Sequence, residues 1–487
     1  MPIGNDCHTE TYKAALKYIY NICRLVETKI KTEQNTMSTI NVNLSNVVGK
    51  IKPMHAANNG PVFKMSDYEN GTLHPFNSNL ELYREAGFPY ARTHDTSFYH
   101  RFGLEHVIDV YYIFPNFDAD VNDPASYDFA CTDEYVKCCY FAGTKIFYRL
   151  GHRIEHEIKK YGTLPPKDFK KWAEICEHIV RHYTEGWADG FKFDMEYFEI
   201  WAEPDLAANN INNPCWSGTS ELFFEFYDIT AKHLKSCFPH LKFGGPALAG
   251  NLTWADKFLS QLKAPLDFLS WHCYTDSTDR IQNNAKTFRN MLDKYGFTET
   301  ESILDEWNYL RDSAWNNESY VYSHKQRRLI KGASFEIAAM CAGQNSSIDM
   351  MMYYDVRPNE FWNGVFMDTV VGEVFKGYYP FVMFNRLYKL ECAVECSYDG
   401  ELYAAAAKND DEAVIILTRY NKDGNPDPCE ILLNINGIPE GWAVEWFLLD
   451  EKSDLVSVNK LVQNGNTLCW MPKLNNYDCY MIKITKA

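Results

Sequence analysis

Between residue 50 and about residue 375, short apolar runs alternate with segments in which apolar residues recur every three or four positions. The short runs are typical of buried strands, and segments such as FKKWAEICEHIVRHY and SELFFEFYDITAKHLKSCF are typical of amphipathic helices. Such alternation over roughly 300 residues predicts a parallel sheet, and a closed (β/α)8 barrel suits that length best. The candidate strands are Ile51–His55, Pro89–His94, Val107–Ile113, Lys145–Arg149, Tyr197–Trp201, Lys242–Pro246, Phe268–His272, Ser302–Glu306 and Ile348–Tyr354.

These are nine candidate strands for an eight-stranded barrel, so we expect Val107–Ile113 to lie outside the barrel. Ahead of the barrel, residues 1–38 have the spacing of a helical arm, and residues 39–49 alternate like a strand that joins the C-terminal sheet. After residue 378, short strands separated by turn dipeptides such as Asn436-Gly437 predict a β-sandwich. The predicted fold class is therefore α/β, with a (β/α)8 barrel over residues 50–378 and a β-sandwich over residues 379–487.

Composition narrows the classes of partner. The hydrophobic fraction is 46%, which is enough for a large core. The net charge of −17 disfavours nucleic acid and anionic membranes, and it favours a neutral substrate. Aromatic residues make up 15% of the chain, and their faces suit sugar stacking.

The cysteines and the N-terminus predict a cytoplasmic protein. The chain has 15 cysteines and no C-x-x-C pair, a pattern that favours reduced, buried thiols over a disulfide scaffold. The N-terminal sequence lacks a basic segment followed by an apolar run, and no run reaches transmembrane length, so we expect neither a signal peptide nor a membrane span.

Two acidic residues lie where a barrel enzyme has its active site, at the C-terminal ends of strands. Glu203 lies in EIWAEPD and Glu306 in SILDEWN, and each follows an apolar run and adjoins a tryptophan. Pro204 lacks an N–H, so we expect it to end the strand and to hold Glu203 at the rim. Two opposed carboxylates on a rigid rim are what glycoside hydrolysis requires.

The segment YFEIWAEPDL resembles the acid/base motif of glycoside hydrolase family 39, and SILDEWN resembles that family's nucleophile strand. The similarity runs from about residue 50 to residue 375 and includes YARTHD, KFGGPALAG and DFLSWHCY. It implies a retaining (β/α)8 enzyme with Glu203 as acid/base and Glu306 as nucleophile. A carboxylate separation of about 5–5.5 Å is then expected.

The same resemblance assigns supporting roles around the two glutamates. His272 would bind a sugar hydroxyl, and Tyr274, two residues along the strand and so on the same face, would donate to the nucleophile. His94 would bind a distal hydroxyl, with Arg92 beneath it steadying the nucleophile. A structural histidine or tyrosine stays the alternative for each of these residues.

Aromatic residues beyond strand eight are candidates for a platform under the sugar. Tyr354 and Trp362 lie in the segment MMMYYDVRPNEFWNG, and Trp315 lies in a preceding loop. We therefore include Tyr354 and Trp315 among the candidate substrate-binding residues.

Ala202 departs from the family pattern, which has asparagine at this position to bind the sugar's 2-hydroxyl. Losing a comparable donor costs about 2.7–4 kcal/mol. Three explanations stay open: another donor such as Asn308 replaces it, the substrate is unusual at C2, or turnover is impaired, whether naturally or by engineering.

Two features of the sequence allow rival functions. HRIEH at residues 152–156 matches H-x-x-E-H, a zinc-protease signature with both histidines on one helical turn, but short matches of this kind arise by chance and no third ligand is apparent. A carbohydrate-binding barrel without turnover is the second rival, which Ala202 favours and the retention of both glutamates disfavours.

The sequence thus predicts a retaining exo-glycosidase of short oligosaccharides, with β-xylosidase as the first expectation. A β-glucosidase or an arabinose-releasing enzyme is the alternative, and the negative charge makes an iduronidase less attractive. The mechanism requires no metal or organic cofactor. The predicted partner is an oligosaccharide or small glycoside, and the N-terminal helix is a candidate for homo-oligomer formation.

Overall fold

The computed structural model describes residues 37–73, 78–96, 105–358, 360–367, 372–424 and 427–486. Eight parallel strands pair in chain order around a closed barrel, and helices cover its outside, as predicted. The predicted arm of residues 1–38 lies outside the described residues, except for Met37 and Ser38. Among the described residues, the barrel strands are β2 (Ala56–Asn58), β3 (Tyr90–Arg92), β4 (Lys145–Leu150), β5 (Tyr197–Ile200), β6 (Lys242–Gly244), β7 (Phe268–Tyr274), β8 (Glu301–Asn308) and β9 (Met350–Tyr353).

Helices such as Phe169–Thr184, Ser220–Cys237 and Leu252–Gln261 lie outside the barrel because each buries an apolar face. Two of the long helices begin at capping residues: the Asp168 side chain accepts from the backbone N–H groups of Lys170 and Lys171, and Thr219 accepts from that of Leu222. In the described residues the helices are α1 (Met65–Glu69), α2 (Leu80–Ala86), α3 (Val110–Ile113), α4 (Ala130–Phe141), α5 (Phe169–Thr184), α6 (Ser220–Cys237), α7 (Leu252–Gln261), α8 (Thr278–Lys294), α9 (Asn317–Arg327), α10 (Ile330–Gln344) and α11 (Tyr379–Leu390).

Two predicted strands differ from the structure. The first barrel strand is Ala56–Asn58, whereas the apolar run Ile51–His55 leads into it, with Ile51 and Met54 in the core and His55 against Phe384. Val107–Ile113 is outside the barrel, as predicted, but it is not a strand. Its second half forms the short helix α3, which shows that a brief apolar run does not distinguish a buried helical turn from a strand.

The remaining strands form one ten-stranded sheet, which consists of β1 (Ser38–Lys50), β10 (Cys392–Tyr398), β11 (Leu402–Lys408), β12 (Glu412–Arg419), β13 (Cys429–Asn436), β14 (Ala443–Leu449), β15 (Asp454–Val462), β16 (Thr467–Trp470), β17 (Lys473–Leu474) and β18 (Cys479–Thr485). Its order is β15-β14-β18-β12-β11-β10-β1-β13-β16, with β17 paired to β13. The rings of Trp446 and Trp470, on strands near opposite ends of this order, lie 5.9 Å apart, so the sheet curls and its two ends face each other across a common core.

Strand β1, at the start of the described chain, belongs to the C-terminal sheet. It pairs antiparallel with β10 and parallel with β13. Along β11, Ala404 and Ala406 face the core of the sheet, while Ala405 and Ala407 belong to the core of the barrel and its helices. The sheet is therefore buried on both faces where it meets the barrel. In the part of the chain that the structure describes, no helix has the length and apolar character needed to cross a membrane.

Candidate active site

Glu203 lies in a tight turn after β5. The strand ladder ends at Ile200, and Trp201 and Glu203 both have left-handed backbone conformations, with φ of 74° and 51°. Such conformations are costly for residues with side chains and persist only where the surroundings enforce them. Here the Trp201 indole donates to the Cys215 carbonyl at 2.9 Å, and the Glu203 N–H donates to the Ala247 carbonyl at 2.9 Å. The prediction that Pro204 ends the strand is therefore wrong, because the chain has already turned at Trp201.

A β-bulge places Glu306 in the site. Along β8, Ile303 faces the barrel interior and Leu304 faces the helices, so regular alternation would send Asp305 inward and Glu306 outward. Against β7, Trp271 pairs with Leu304 and His272 pairs with Glu306, which leaves Asp305 as an extra residue. This bulge re-aims the strand. As a result, two successive carboxylates point toward the centre of the barrel.

Glu306 is surrounded by groups that favour its ionised form. Arg92 donates from Nη1 to Oε1 at 2.8 Å, the Tyr274 hydroxyl donates to Oε2 at 2.7 Å, and His94 Nε2 lies 3.6 Å from Oε1. Burial alone would raise the pKa of Glu306, but the charges of His272, His94 and Arg92 and the Tyr274 hydrogen bond lower it to about 2. This carboxylate is therefore available as a nucleophile across the physiological pH range.

His272 lies between the two glutamates. Its Nδ1 is 2.8 Å from Glu203 Oε1 and 3.5 Å from Glu306 Oε2, and its Nε2 is 3.6 Å from Asp305. Burial would lower the pKa of His272, but these three carboxylates raise it well above its usual value. One oxygen of Glu203 and one of Glu306 lie within 4.8 Å of each other.

A buried charge network lies beneath this pair. Arg92 donates from Nε to Glu199 at 2.7 Å, and the same nitrogen lies 3.2 Å from Asp305. A single guanidinium cannot neutralise Glu199, Asp305 and Glu306 together. Burial and the nearby charge of Asp305 raise the pKa of Glu199 to about 8, against the opposing charge of Arg92.

Asp95 lies on the far side of His94 from Glu306, and three side chains contact its carboxylate. His94 Nδ1 lies 2.9 Å away, Arg357 Nη2 lies 3.1 Å away, and the Tyr354 hydroxyl donates to Asp95 at 3.4 Å. Burial would raise the pKa of Asp95, but Arg357 and His94 keep it well below its usual value. Neither Asp95 nor Arg357 was predicted, although Asp95 lies within the motif YARTHD that carries the resemblance.

Aromatic rings form a wall beside Glu306. The ring of Tyr274 lies 4.6 Å from that of Trp362 and 5.2 Å from that of Trp315. Trp315 is 60% exposed and so leaves a free face. Tyr354, in contrast, meets His94 edge-on at 5.4 Å and donates to Asp95, so it belongs to the floor beside His94.

Asn308 is not available as a substitute for the missing asparagine. Its Nδ2 donates to the carbonyl oxygens of Tyr354 and Trp362 at 2.5 and 2.7 Å, which uses both of its hydrogens. Ala202 itself is buried. Cys215 Sγ lies 3.8 Å from Oε2 of the adjacent Glu203. The particular explanation that invoked Asn308 is therefore wrong.

The HRIEH segment does not form the helical turn that the zinc-protease signature requires. Residues 152–156 are irregular, and the Glu155 carboxylate accepts backbone N–H groups from Tyr161, Gly162 and Thr163. Glu155 thereby fixes a loop, and His152 lies 3.2 Å from it. The local match is a structural loop rather than a protease site.

Comparison with known proteins supports the resemblance. Residues 60–324, just over half of the chain, match the family described as Glycosyl hydrolases family 39. The beta-xylosidase of Geobacillus stearothermophilus is 27% identical over 251 residues, which cover 48% of this chain and 45% of the relative. The chain thus spans about half the length of this curated relative.

Solved structures share the same architecture. A glucosidase from Croceicoccus marinus superposes with a TM-score of 0.74 at 22% identity, covering 93% of this chain and 99% of the other. A GH39 enzyme from Xanthomonas axonopodis pv. citri superposes with a TM-score of 0.67 at 15% identity, with coverage of 93% and 99%. At such identities the likeness concerns the fold, and it includes both the barrel and the C-terminal sheet.

Proposed function

The chain belongs to glycosyl hydrolase family 39, and on this premise we propose that it is a retaining exo-glycosidase of short oligosaccharides. The observation that carries the proposal is the pair of carboxylates, Glu203 and Glu306, with oxygens within 4.8 Å of each other at the C-terminal end of the barrel. Retaining enzymes hold their carboxyl groups about 5–5.5 Å apart, and inverting enzymes hold them about 6.5–9.5 Å apart.

In the first step, ionised Glu306 attacks the anomeric carbon while Glu203 donates its proton to the leaving oxygen. The glycosidic C–O bond breaks, and an ester bond forms between the sugar and Glu306. In the second step, Glu203 takes a proton from water, and the hydroxide formed displaces Glu306 from the anomeric carbon. Two inversions give net retention, and both carboxyl groups return to their starting states.

The surrounding residues have separate roles in this proposal. Arg92 and Tyr274 keep Glu306 ionised and oriented through hydrogen bonds of 2.8 and 2.7 Å. His272 positions Glu203 through its bond of 2.8 Å. Trp315 offers an exposed aromatic face on which a sugar ring can stack.

A β-xyloside is the first candidate substrate, because the curated relative is named a beta-xylosidase. The wall of aromatic rings and the charge of −17 suit a neutral sugar. A β-glucoside is the second candidate, favoured by the structural likeness to a glucosidase. A panel of aryl β-xylosides, β-glucosides and α-L-arabinofuranosides ranks the three by kcat/KM.

Trapping of the intermediate tests the mechanism. A 2-deoxy-2-fluoro xyloside, or the corresponding derivative of the best substrate, should label Glu306 in a peptide identified by mass spectrometry. Glu306→Gln should abolish labelling, whereas Glu301→Gln, at the opposite end of the same strand, should leave it intact. Labelling of another residue would contradict the assignment. Substrate binding without labelling or turnover would favour the carbohydrate-binding alternative.

A further inference from the structure

A second group of ligand-type side chains lies on the outside of the barrel. His233 Nε2 is 2.6 Å from Glu177 Oε2 and 3.9 Å from Cys237 Sγ, and all three donor atoms lie within 4.8 Å of one another. Glu177 is on α5, while His233 and Cys237 are one turn apart near the end of α6. The chain enters β6 at Lys242, so this group lies near the N-terminal end of the strands, opposite to Glu203 and Glu306.

We propose that Glu177, His233 and Cys237 form a zinc site that links α5 to α6, with a water molecule as the fourth ligand. Imidazole nitrogen, thiolate sulfur and carboxylate oxygen are the donors that zinc prefers in proteins. The i, i+4 spacing of His233 and Cys237 places both on one face of the helix. The three side chains are partly exposed, which leaves a path for the ion and room for the water.

The geometry is close to what zinc requires. Bond lengths near 2.0–2.1 Å for nitrogen and 2.3 Å for sulfur place tetrahedral donor atoms about 3.4–3.6 Å apart. The Cys237–His233 distance of 3.9 Å therefore has to shorten by a few tenths of an ångström, and the Glu177–His233 hydrogen bond of 2.6 Å has to open around the ion. Both changes lie within the reach of side-chain rotation.

Two neighbouring features shape this position. Arg181 lies 2.8 Å from Oε1 of Glu177 and so orients the carboxylate while leaving Oε2 for the metal. Cys237 is the last residue of α6, where the unpaired backbone carbonyls favour positive charge. With Glu177 and Cys237 ionised, their two negative charges balance the 2+ charge of zinc.

A site at this end of the barrel cannot touch the reacting sugar, so its role is to fasten two helices. The described residues contain one other group of three suitable donors, Glu203, His272 and Glu306, and it includes no thiolate. The two sites are therefore distinguishable by spectroscopy, because only cobalt bound to sulfur gives an intense thiolate-to-metal charge-transfer band in the near ultraviolet.

The experiment uses the full chain, stripped of metal with a chelator and titrated with zinc or cobalt. We expect one equivalent of zinc to bind, the cobalt form to show the charge-transfer band, and zinc to raise Tm. Cys237→Ser and His233→Gln should each lose the cobalt band or weaken zinc binding by about 100-fold or more. Cys131→Ser, a half-buried thiol on α4, serves as the matched control and should behave like the unmodified chain.

Circular dichroism of the chelator-treated variants establishes that they are folded, and the two substitutions provide independent tests. Absence of zinc binding by the unmodified chain would overturn the proposal. So would binding that both Cys237→Ser and His233→Gln leave unchanged. Glycosidase activity is not the readout, so failure of the zinc site and failure of the proposed function are separate outcomes.

Discussion

Removing the Tyr274 hydroxyl should change the pH at which the nucleophile titrates. This hydroxyl donates to Glu306 Oε2 at 2.7 Å, and its bond favours the ionised carboxylate. A hydrogen bond to a charged group contributes about 1.5–3 kcal/mol, which corresponds to about 1–2 pKa units. Tyr274→Phe should therefore raise the pKa of Glu306 from about 2 to roughly 3–4.

The assay is the rate of inactivation by a 2-fluoro glycoside as a function of pH, because this reaction requires ionised Glu306. In Tyr274→Phe, the acid limb should move upward by about 1–2 pH units. At neutral pH Glu306 stays ionised in both proteins, so any loss of rate there reflects its orientation, and we expect about tenfold at most. Tyr320→Phe, which contacts Trp315 and Trp362 instead of Glu306, is the control. An unmoved acid limb, or one that moves downward, would refute the reasoning.

Three further changes test other parts of the site. Burial raises the pKa of Glu199 to about 8, so between pH about 4.5 and 8 the folded state binds more protons than the unfolded state. The free energy of unfolding should therefore fall as pH rises through this range. Glu199→Gln should flatten the slope, as measured by denaturant titrations at several pH values. Trp315→Ala should raise KM by about two- to tenfold with kcat nearly unchanged, because it removes a stacking surface; an equal fall in kcat would contradict this. Ala202→Asn should raise kcat/KM for aryl xylosides by about 100-fold or more if the family's 2-hydroxyl contact is restored, and the absence of a gain would mean that another group binds this hydroxyl or that the substrate differs at C2.

Periodic features were predictable from the sequence. The alternation of apolar runs with amphipathic helices predicted the barrel, and the position of Glu203 and Glu306 after such runs predicted that both lie at one end of it. The helices around Trp172 and Phe226 were also predictable, because their apolar faces recur at helical spacing over four or more turns. Each of these predictions depends on a pattern repeated many times along the chain.

Features set by one residue or by distant contacts were not predictable. The turn at Trp201 depends on a carbonyl from Cys215, fourteen residues away. Asn308 carries an amide that suits a sugar hydroxyl, but its Nδ2 donates to two carbonyl oxygens from beyond β9. Asp95 carried no signal of its own, since its importance comes from Arg357, which is distant in sequence.

The bulge at Asp305 allows two adjacent acids of β8, Asp305 and Glu306, to point into the barrel. Alternation alone would give the interior position to Asp305 and would turn Glu306 toward the helices. With the bulge, Asp305 remains beneath, beside Arg92 and His272, while Glu306 reaches the rim. Arg92 lies 3.2 Å from Asp305 and 2.8 Å from Glu306, and its charge favours the ionised form of Glu306. The strand irregularity and the charge of Arg92 thus act together to keep Glu306 ionised within reach of Glu203.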